Sequence, residues 1–214
     1  MPLVHRTLRI GPFDNNVYVI ACTNTRQAAV VDVGFEPEAV VAEVRDAGLD
    51  VRLMLNTHAH YDHAAGMRAA QAALGGEYWL HPEDRPLLDA LTQQGAMFGL
   101  PAAEGPDVVH DLADGMRLPL GDSELEVIHA PGHSPGSVCF LAEGMLWDGD
   151  VLFAGSIGRT DLPGGSFRTL EASIRGRLFT LSDDVQVFPG HGPPTTIGRE
   201  RLHNPFVGEV SRLA

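Results

Sequence analysis

From Asn56 to His63 the chain reads Asn-Thr-His-Ala-His-Tyr-Asp-His, which places three imidazoles and a carboxylate within six residues. A donor density of this kind, leaving an apolar run and entering a helical pattern, is a metal-ligand cassette. His58 and His60, two residues apart on chain leaving a strand, can point to one side, while Asp62 and His63 at the helix entrance turn toward a second point nearby. One ion does not easily use all four donors. Two ions about 3.5–4 Å apart share them, and a pair at that separation clamps a single water or hydroxide.

The remaining coordination positions must be filled from distant parts of the chain, because one short cassette cannot close two sites. His133 sits in Ala130-Pro131-Gly132-His133-Ser134-Pro135-Gly136-Ser137 and His191 in Phe188-Pro189-Gly190-His191-Gly192, where Pro and Gly immobilise a turn after a strand. Asp150 closes Trp147-Asp148-Gly149-Asp150, and a carboxylate bridges two cations where an imidazole does not. Asp62 and Asp150, the carboxylates of the set, are the catalytic candidates. Asp32, in Val30-Val31-Asp32-Val33-Gly34, is placed either to accept the remaining N–H of a ligand imidazole or to cap a turn, and Ser137 stands in a similar position. Arg159, in a Gly-rich loop soon after Asp150, suits a substrate carboxylate through its planar fork, or equally a structural pair with Asp161. Tyr61 and Phe98 are pocket-lining candidates or plain packing residues. Among His5, His81, His110, His129 and His203, only His81, in its His-Pro step, stands where it could reach the site. No lysine occurs among the 15 basic residues, so amine nucleophiles are excluded, and Gly155-Ser156 lacks the GxSxG pattern of a serine elbow.

These donors need strands to deliver them and helices to cover the strands. Residues 3–10, 17–22 and 28–33 are rich in β-branched types and open the chain as an antiparallel meander, with turns at Gly11-Pro12 and Asn24 to Arg26. Ala39, Val40, Val44 and Ala47 fall at helical spacing, with Pro37 in a first turn and Gly48 as a stop, which predicts a helix over 36–47. A buried strand at 51–55, a helix at 64–74, a short strand at 77–80 and a helix at 82–93 follow. Residues 95–115 mix Gly, Pro and acids without periodicity and read as a surface connection, long enough to be a lid or linker. Strands at 125–130, 137–142 and 144–147, a helix at 169–181, a strand at 185–188 and a mainly helical 198–213 interrupted by Pro205 complete the chain. Each half runs strands first and helices later, so two helix-covered sheets packed face to face are expected, with the donors along one edge. Cys22 and Cys139 read as two reduced, buried thiols.

With these motifs the chain resembles the metallo-β-lactamase superfamily and, within it, the glyoxalase II-like (hydroxyacylglutathione hydrolase-like) hydrolases. Asp32 with Gly34 matches the family's early Asp-containing turn, His58 to His63 its HxHxDH motif, and His133, Asp150 and His191 its later ligands. Gly155 to Gly165 and Pro189 to Arg201, followed by Asn204-Pro205-Phe206, resemble its compact bacterial branch. The resemblance implies an α/β (α+β) fold, a four-layer αββα sandwich, over residues 1–214 as a single domain. It implies His58, His60 and His133 on a first metal, Asp62, His63 and His191 on a second, and Asp150 with a hydroxide between them. The implied cofactors are two divalent transition metals, zinc first, with iron or manganese as alternatives. The implied reaction is hydrolysis of a small-molecule thioester such as S-lactoylglutathione by the bridging hydroxide. Full-length glyoxalase II carries a further C-terminal helical domain that helps hold glutathione; this chain ends 23 residues after His191 and is expected to lack it.

At 214 residues, 44% hydrophobic and 20% charged, the composition is that of a folded globular protein with room for one large domain. No apolar run reaches the ~18 residues of a membrane span, and Met1 to Phe13 lacks a signal-peptide pattern, so no membrane partner and a cytoplasmic location are expected. With 28 acidic against 15 basic residues the formal net charge is −13, which opposes binding to phosphate backbones and argues against nucleic acid and against ribonuclease activity. Asp150 stands where many β-lactam-hydrolysing relatives carry Cys, which argues against β-lactams. Two competing readings are a mononuclear iron persulfide dioxygenase, which shares a similar Gly-Arg-Thr-Asp loop, and a noncatalytic metal or thiol-metabolite binding protein. Retention of Asp62, His63 and His191 beside the other donors favours two metals and hydrolysis. Monomer and dimer are both compatible with the sequence.

Overall fold

The computed structural model describes residues 2–209. In chain order its elements are β1 (Leu3–Ile10), β2 (Asn15–Cys22), β3 (Gln27–Val31), α1 (Pro37–Asp46), β4 (Asp50–Leu55), α2 (Tyr61–Ala64), α3 (Met67–Leu74) and β5 (Glu77–Leu80). A 3₁₀ turn (Pro82–Asp84), α4 (Arg85–Asp89), α5 (Leu91–Met97), β6 (His110–Asp111), β7 (Arg117–Leu120), β8 (Ser123–His129), β9 (Val138–Ala142) and β10 (Met145–Gly149) follow. The last are β11 (Leu152–Phe153), β12 (Ser156–Ile157), α6 (Phe167–Gly176), a 3₁₀ turn (Leu178–Thr180), β13 (Gln186–Pro189), β14 (Thr195–Thr196) and α7 (Ile197–His203).

Two six-stranded sheets result, in the orders β1-β2-β3-β4-β5-β6 and β14-β13-β10-β9-β8-β7. The side-chain alternation of β2 shows how they stack. Tyr18, Ile20 and Cys22 belong to the core between the sheets, with Val31, Leu55, Phe140 and Trp147, while Val17, Val19 and Ala21 pack under Val40, Val44 and Met67 of α1 and α3. On the far side, Ile128, Cys139 and Leu146 meet Leu170 and Ile174 of α6. A strand buried on both faces is largely apolar, and every residue of β2 is buried, its opening Asn15 and Asn16 being taken up by hydrogen bonds. The architecture is the four-layer αββα sandwich expected. Cys22 and Cys139 are free and buried. No helix of the described residues is long and apolar enough to cross a membrane.

Several boundaries differ from the sequence expectation, each for a local reason. The helix expected at 64–74 is two helices, because Gly66 N turns out of the helix to Val33 O at 2.9 Å. The helix expected at 82–93 restarts at Arg85, since Pro86 has no N–H to give a preceding turn and sits in the first turn of α4. It breaks again before α5, where Ala90 N and Gln94 Nε2 both donate to the Leu87 carbonyl, at 3.1 and 2.8 Å. Part of the expected 95–115 connection is therefore helix and part is β6. Tyr61 Oη donates to Pro101 O, Thr92 Oγ1 to Ala103 O and Arg68 Nε to Gly105 O, so the segment is pinned to the body. β7 was hidden by Pro119, which an edge strand tolerates because its missing N–H breaks no ladder. α6 ends at Gly176, and α7 ends at His203; of the expected helix at 198–213, residues 210–214 lie outside the described residues.

β3, β4 and β5 run parallel, as do β10 and β13, so their C-terminal ends open along one edge of the sandwich. The approach of β3 to α2 at that edge is close. A Cβ on Gly34 would lie 1.7 Å from the Asp62 carbonyl oxygen. Gly34→Ala is therefore expected to lower the urea midpoint by the equivalent of about 3 kcal/mol or more. Gly176→Ala, at a helical position with nothing within 4 Å of a Cβ, should be neutral to slightly stabilising in the same titration.

Candidate metal centre

The strand ends deliver the predicted donors to one place. His58 and His60 follow β4, Asp62 and His63 lie in α2, His133 is between β8 and β9, Asp150 follows β10 and His191 follows β13. His133 Nε2 lies 2.9 Å from His60 Nδ1 and 3.2 Å from His58 Nε2. Beside this trio, His191 Nε2 lies 3.3 Å from His63 Nε2 and 3.2 Å from Asp62 Oδ2. Asp150 reaches both groups: Oδ1 is 3.5 Å from His63 Nε2, and Oδ2 is 3.6 Å from His191 Nε2 and 3.7 Å from His133 Nε2.

The outer hydrogen bonds determine what these nitrogens present. His63 Nδ1–H donates to Asp32 Oδ2 at 3.1 Å, His133 Nδ1–H to the Arg159 carbonyl at 2.8 Å and His191 Nδ1–H to the Phe13 carbonyl at 3.0 Å. Thr57 Oγ1 gives its hydrogen to Asp32 Oδ2 at 2.6 Å and so accepts from His58 Nδ1–H at 3.0 Å. Four Nε2 lone pairs are thereby aimed inward, with carboxylate oxygens among them. Acceptors that face one another at such distances repel unless positive charge lies between them. A tetrahedral zinc with bonds of about 2.0–2.1 Å spaces its ligand atoms about 3.3 Å apart, which is the spacing seen in both groups. Asp150 Oδ1 is buried without a hydrogen-bond partner. The residues present thus fit a pair of divalent cations, His58, His60 and His133 around one and Asp62, His63 and His191 around the other.

Electrostatics separates the two groups. Burial pushes the His60 imidazole down to about 3, with His133 adding to the shift, and pushes His58 well below its ordinary value, so both rings are neutral at pH 7. At His63 burial acts in the same sense, but Asp62, Asp150 and Asp32 outweigh it and hold the ring up to about 10. Asp62 is held below the ordinary carboxylate range, burial opposing and His63, His191 and Asn15 prevailing. The second group therefore demands positive charge, from a proton or from a metal.

Asp32 fulfils the expected orienting role toward His63. Ser137 touches no ligand ring; its Oγ accepts from Ser134 N and shapes the His133 turn. His81 is not in the site, its ring stacking on His129 at 4.1 Å. Two positioning residues were not anticipated. Asn15 Nδ2 donates to Asp62 Oδ2 at 3.0 Å. Asp84, fully buried after β5, accepts from Ala59 N and Ser134 Oγ through one oxygen and from Gly136 N through the other, which ties the His58-His60 turn to the His133 turn. The paired Asn15-Asn16 opening an apolar strand was a usable signal for the first; Asp84 had none, since its partners lie 25 to 52 residues away.

A pocket of about 500 Å³ opens over the donors, lined by Tyr61, Phe98 and Arg159 among others. Arg159 also forms a forked pair with Asp161, at 2.7 and 2.8 Å, which is the structural alternative expected for it. A hollow of about 690 Å³ lies elsewhere, at the N-terminal ends of β4 and β5, where no donor group gathers.

Fold and donor arrangement together define a metallo-hydrolase, and the chain belongs to the metallo-beta-lactamase superfamily, whose profile matches residues 10–191. Among its relatives is the hydroxyacylglutathione hydrolase GloC of Haemophilus influenzae, 37% identical over 191 residues covering 87% of this chain and 90% of that protein. The di-iron form of TTHA1623 superposes with a TM-score of 0.87 at 38% identity, covering 94% and 99% of the two chains. The B3 metallo-beta-lactamase BLEG-1 does so with 0.87 at 37%, covering 95% and 99%. ETHE1 from Myxococcus xanthus is more distant, at 0.78 and 25%, covering 95% and 84%. The fold binds divalent metals.

Because His63 must give up a proton to a metal, zinc binding to metal-free protein at pH 7 should release about one proton from this ring, and affinity should fall as pH falls. Calorimetry in buffers of different ionisation enthalpy measures both. Asp84→Ala should weaken metal affinity by about 10- to 100-fold while the sandwich stays folded, measured by chelator competition and circular dichroism.

Proposed function

We propose that the protein is a cytoplasmic dinuclear-metal hydrolase of small-molecule thioesters of the S-lactoylglutathione type. The observation that carries this reading is the reach of Asp150 to both donor groups, which is what two metals sharing one reaction centre require, and the similarity to GloC supports it. Bound divalent cations, zinc first, supply Lewis-acid polarisation of a carbonyl and acidification of water. The chain's own residues do the rest. Asp62, kept ionised by His63, His191 and Asn15, offers a carboxylate oxygen that orients the attacking water. Asp150 holds the donor groups in register. A thiolate, with a free-thiol pKa near 8.5, leaves without a general acid, so the lack of a lysine or serine nucleophile is no obstacle. Arg159 flanks the pocket on the side where a carboxylate of the thiol carrier would meet its fork.

The likeness to ETHE1 keeps persulfide oxidation as the second reading, and that to BLEG-1 places a cephalosporin in the same substrate panel. Purified protein should bind about two metals and hydrolyse S-lactoylglutathione, and Asp150→Ala should lose at least one metal and about 10³-fold or more in kcat/KM. Elemental analysis paired with a panel of thioesters, persulfide and cephalosporin measures it. Saturation at one iron with oxygen-dependent persulfide turnover would replace the hydrolase reading.

A further inference from the structure

The pocket has two flanks. Arg159 and Ser156 belong to one, together with the apolar Phe153, Ile157 and Leu162, whereas the other presents Phe13, Tyr61, Phe98 and Leu100. The rings of this second flank form a continuous array, with centroids 6.3 Å apart for Phe98 and Phe13, 5.9 Å for Phe13 and Phe35, and 5.9 Å for Phe35 and Tyr61. It runs from the rim to the residue next to Asp62. Four separate segments contribute to it: the β1–β2 turn, the chain after β3, the first residue of α2 and the end of α5.

Polar groups on this flank are already committed. Tyr61 Oη donates to Pro101 O, and the Gln94 amide accepts from Tyr61 N and donates to Ala59 O and Leu87 O. A polar substituent lying there would lose water and gain no partner, whereas an apolar one would bury itself against rings. Phe98 and Phe13 remain 52% and 43% exposed, aromatic surface that the chain's own packing leaves open beside the donor groups.

We infer that this aromatic flank is the binding site for an apolar acyl group. The inference rests on the thioester reading, in which the carbonyl lies at the donor edge and the charged thiol carrier lies toward Arg159. The acyl chain or ring then runs along Phe13 and Phe98, and a medium-chain or aryl acyl group is a better occupant than hydroxylated lactoyl.

The test titrates zinc-loaded protein calorimetrically with acetate, lactate, hexanoate and phenylacetate, and measures kcat/KM for the glutathione thioesters of the same acids. Hexanoate and phenylacetate should bind about tenfold or more tightly than acetate and lactate, with the same order in kcat/KM. Phe98→Ala, at an exposed position whose retained fold thermal unfolding verifies, should cut that preference by about fivefold and leave acetate unchanged. Equal affinity for all four acids, or a preference untouched by both Phe98→Ala and Phe13→Ala, overturns the inference whatever is hydrolysed. A preference kept by protein that cleaves none of the thioesters supports the apolar site and removes the thioester reading instead. A dimer that Phe98→Ala separates, in protein with no acid preference, assigns the flank to contact between copies and overturns the inference.

Discussion

The arrangement of this edge depends on one buried carboxylate. Asp32 leaves β3 in the left-handed region at φ 62°, a conformation that costs a non-glycine residue about 1 kcal/mol or more and that Asp tolerates better than most. There it accepts from Thr57 N, Thr57 Oγ1, Asn56 Nδ2 and His63 Nδ1, and its own N–H reaches Leu55 O. Five hydrogen bonds join the ends of two parallel strands and set the tautomer of His63 directly and of His58 through Thr57. With the tautomers set, only lone pairs face inward, and only a cation or a proton reconciles them. The chemistry of the centre thus follows from backbone geometry two steps removed from any ligand atom.

The two donor groups are not equivalent. Three imidazoles, all buried, make the first, and burial keeps His58 and His60 neutral. The second contains a carboxylate and holds a proton in the absence of metal, and its Asp62 and His191 are partly open to the pocket. The centre thus pairs a buried nitrogen set with a more open nitrogen-oxygen set, and Asp150 reaches both. This asymmetry arises because His58 and His60 sit in an extended turn beneath Asp84, whereas Asp62 begins a helix at the pocket floor.

The donors were legible in the sequence because four of them crowd into His58 to His63 and the other three, His133, Asp150 and His191, each adjoin a Gly just past an apolar run, where the turn leaves a side chain few directions. The sandwich was legible because residues 17–22 of β2, 28–31 of β3 and 53–55 of β4 are apolar on both faces. Asp84 was not, since nothing near Pro82-Glu83-Asp84 distinguishes a carboxylate capping two distant turns from one facing water. Helix α5 was hidden by Gly95, which lowers helical propensity but here fits against the Tyr61 ring, where a Cβ would lie 2.6 Å away. β6 was hidden by its shortness and β7 by Pro119, pairing being decided by the sheet they extend.

Donors and walls therefore belong to different parts of the chain. The donors sit at strand ends fixed by parallel ladders, and shifting any of them disturbs two sheets. Phe98 and Leu100 sit at and beyond the end of α5, held to the body by a few side-chain bonds to carbonyls, and their replacement disturbs little else. A change in that wall therefore leaves the geometry of the centre undisturbed. In this chain that flank is aromatic and its polar groups are spent on its own backbone, so an acyl group held there, as inferred above, would be discriminated by buried apolar area, and methylene by methylene such discrimination is graded.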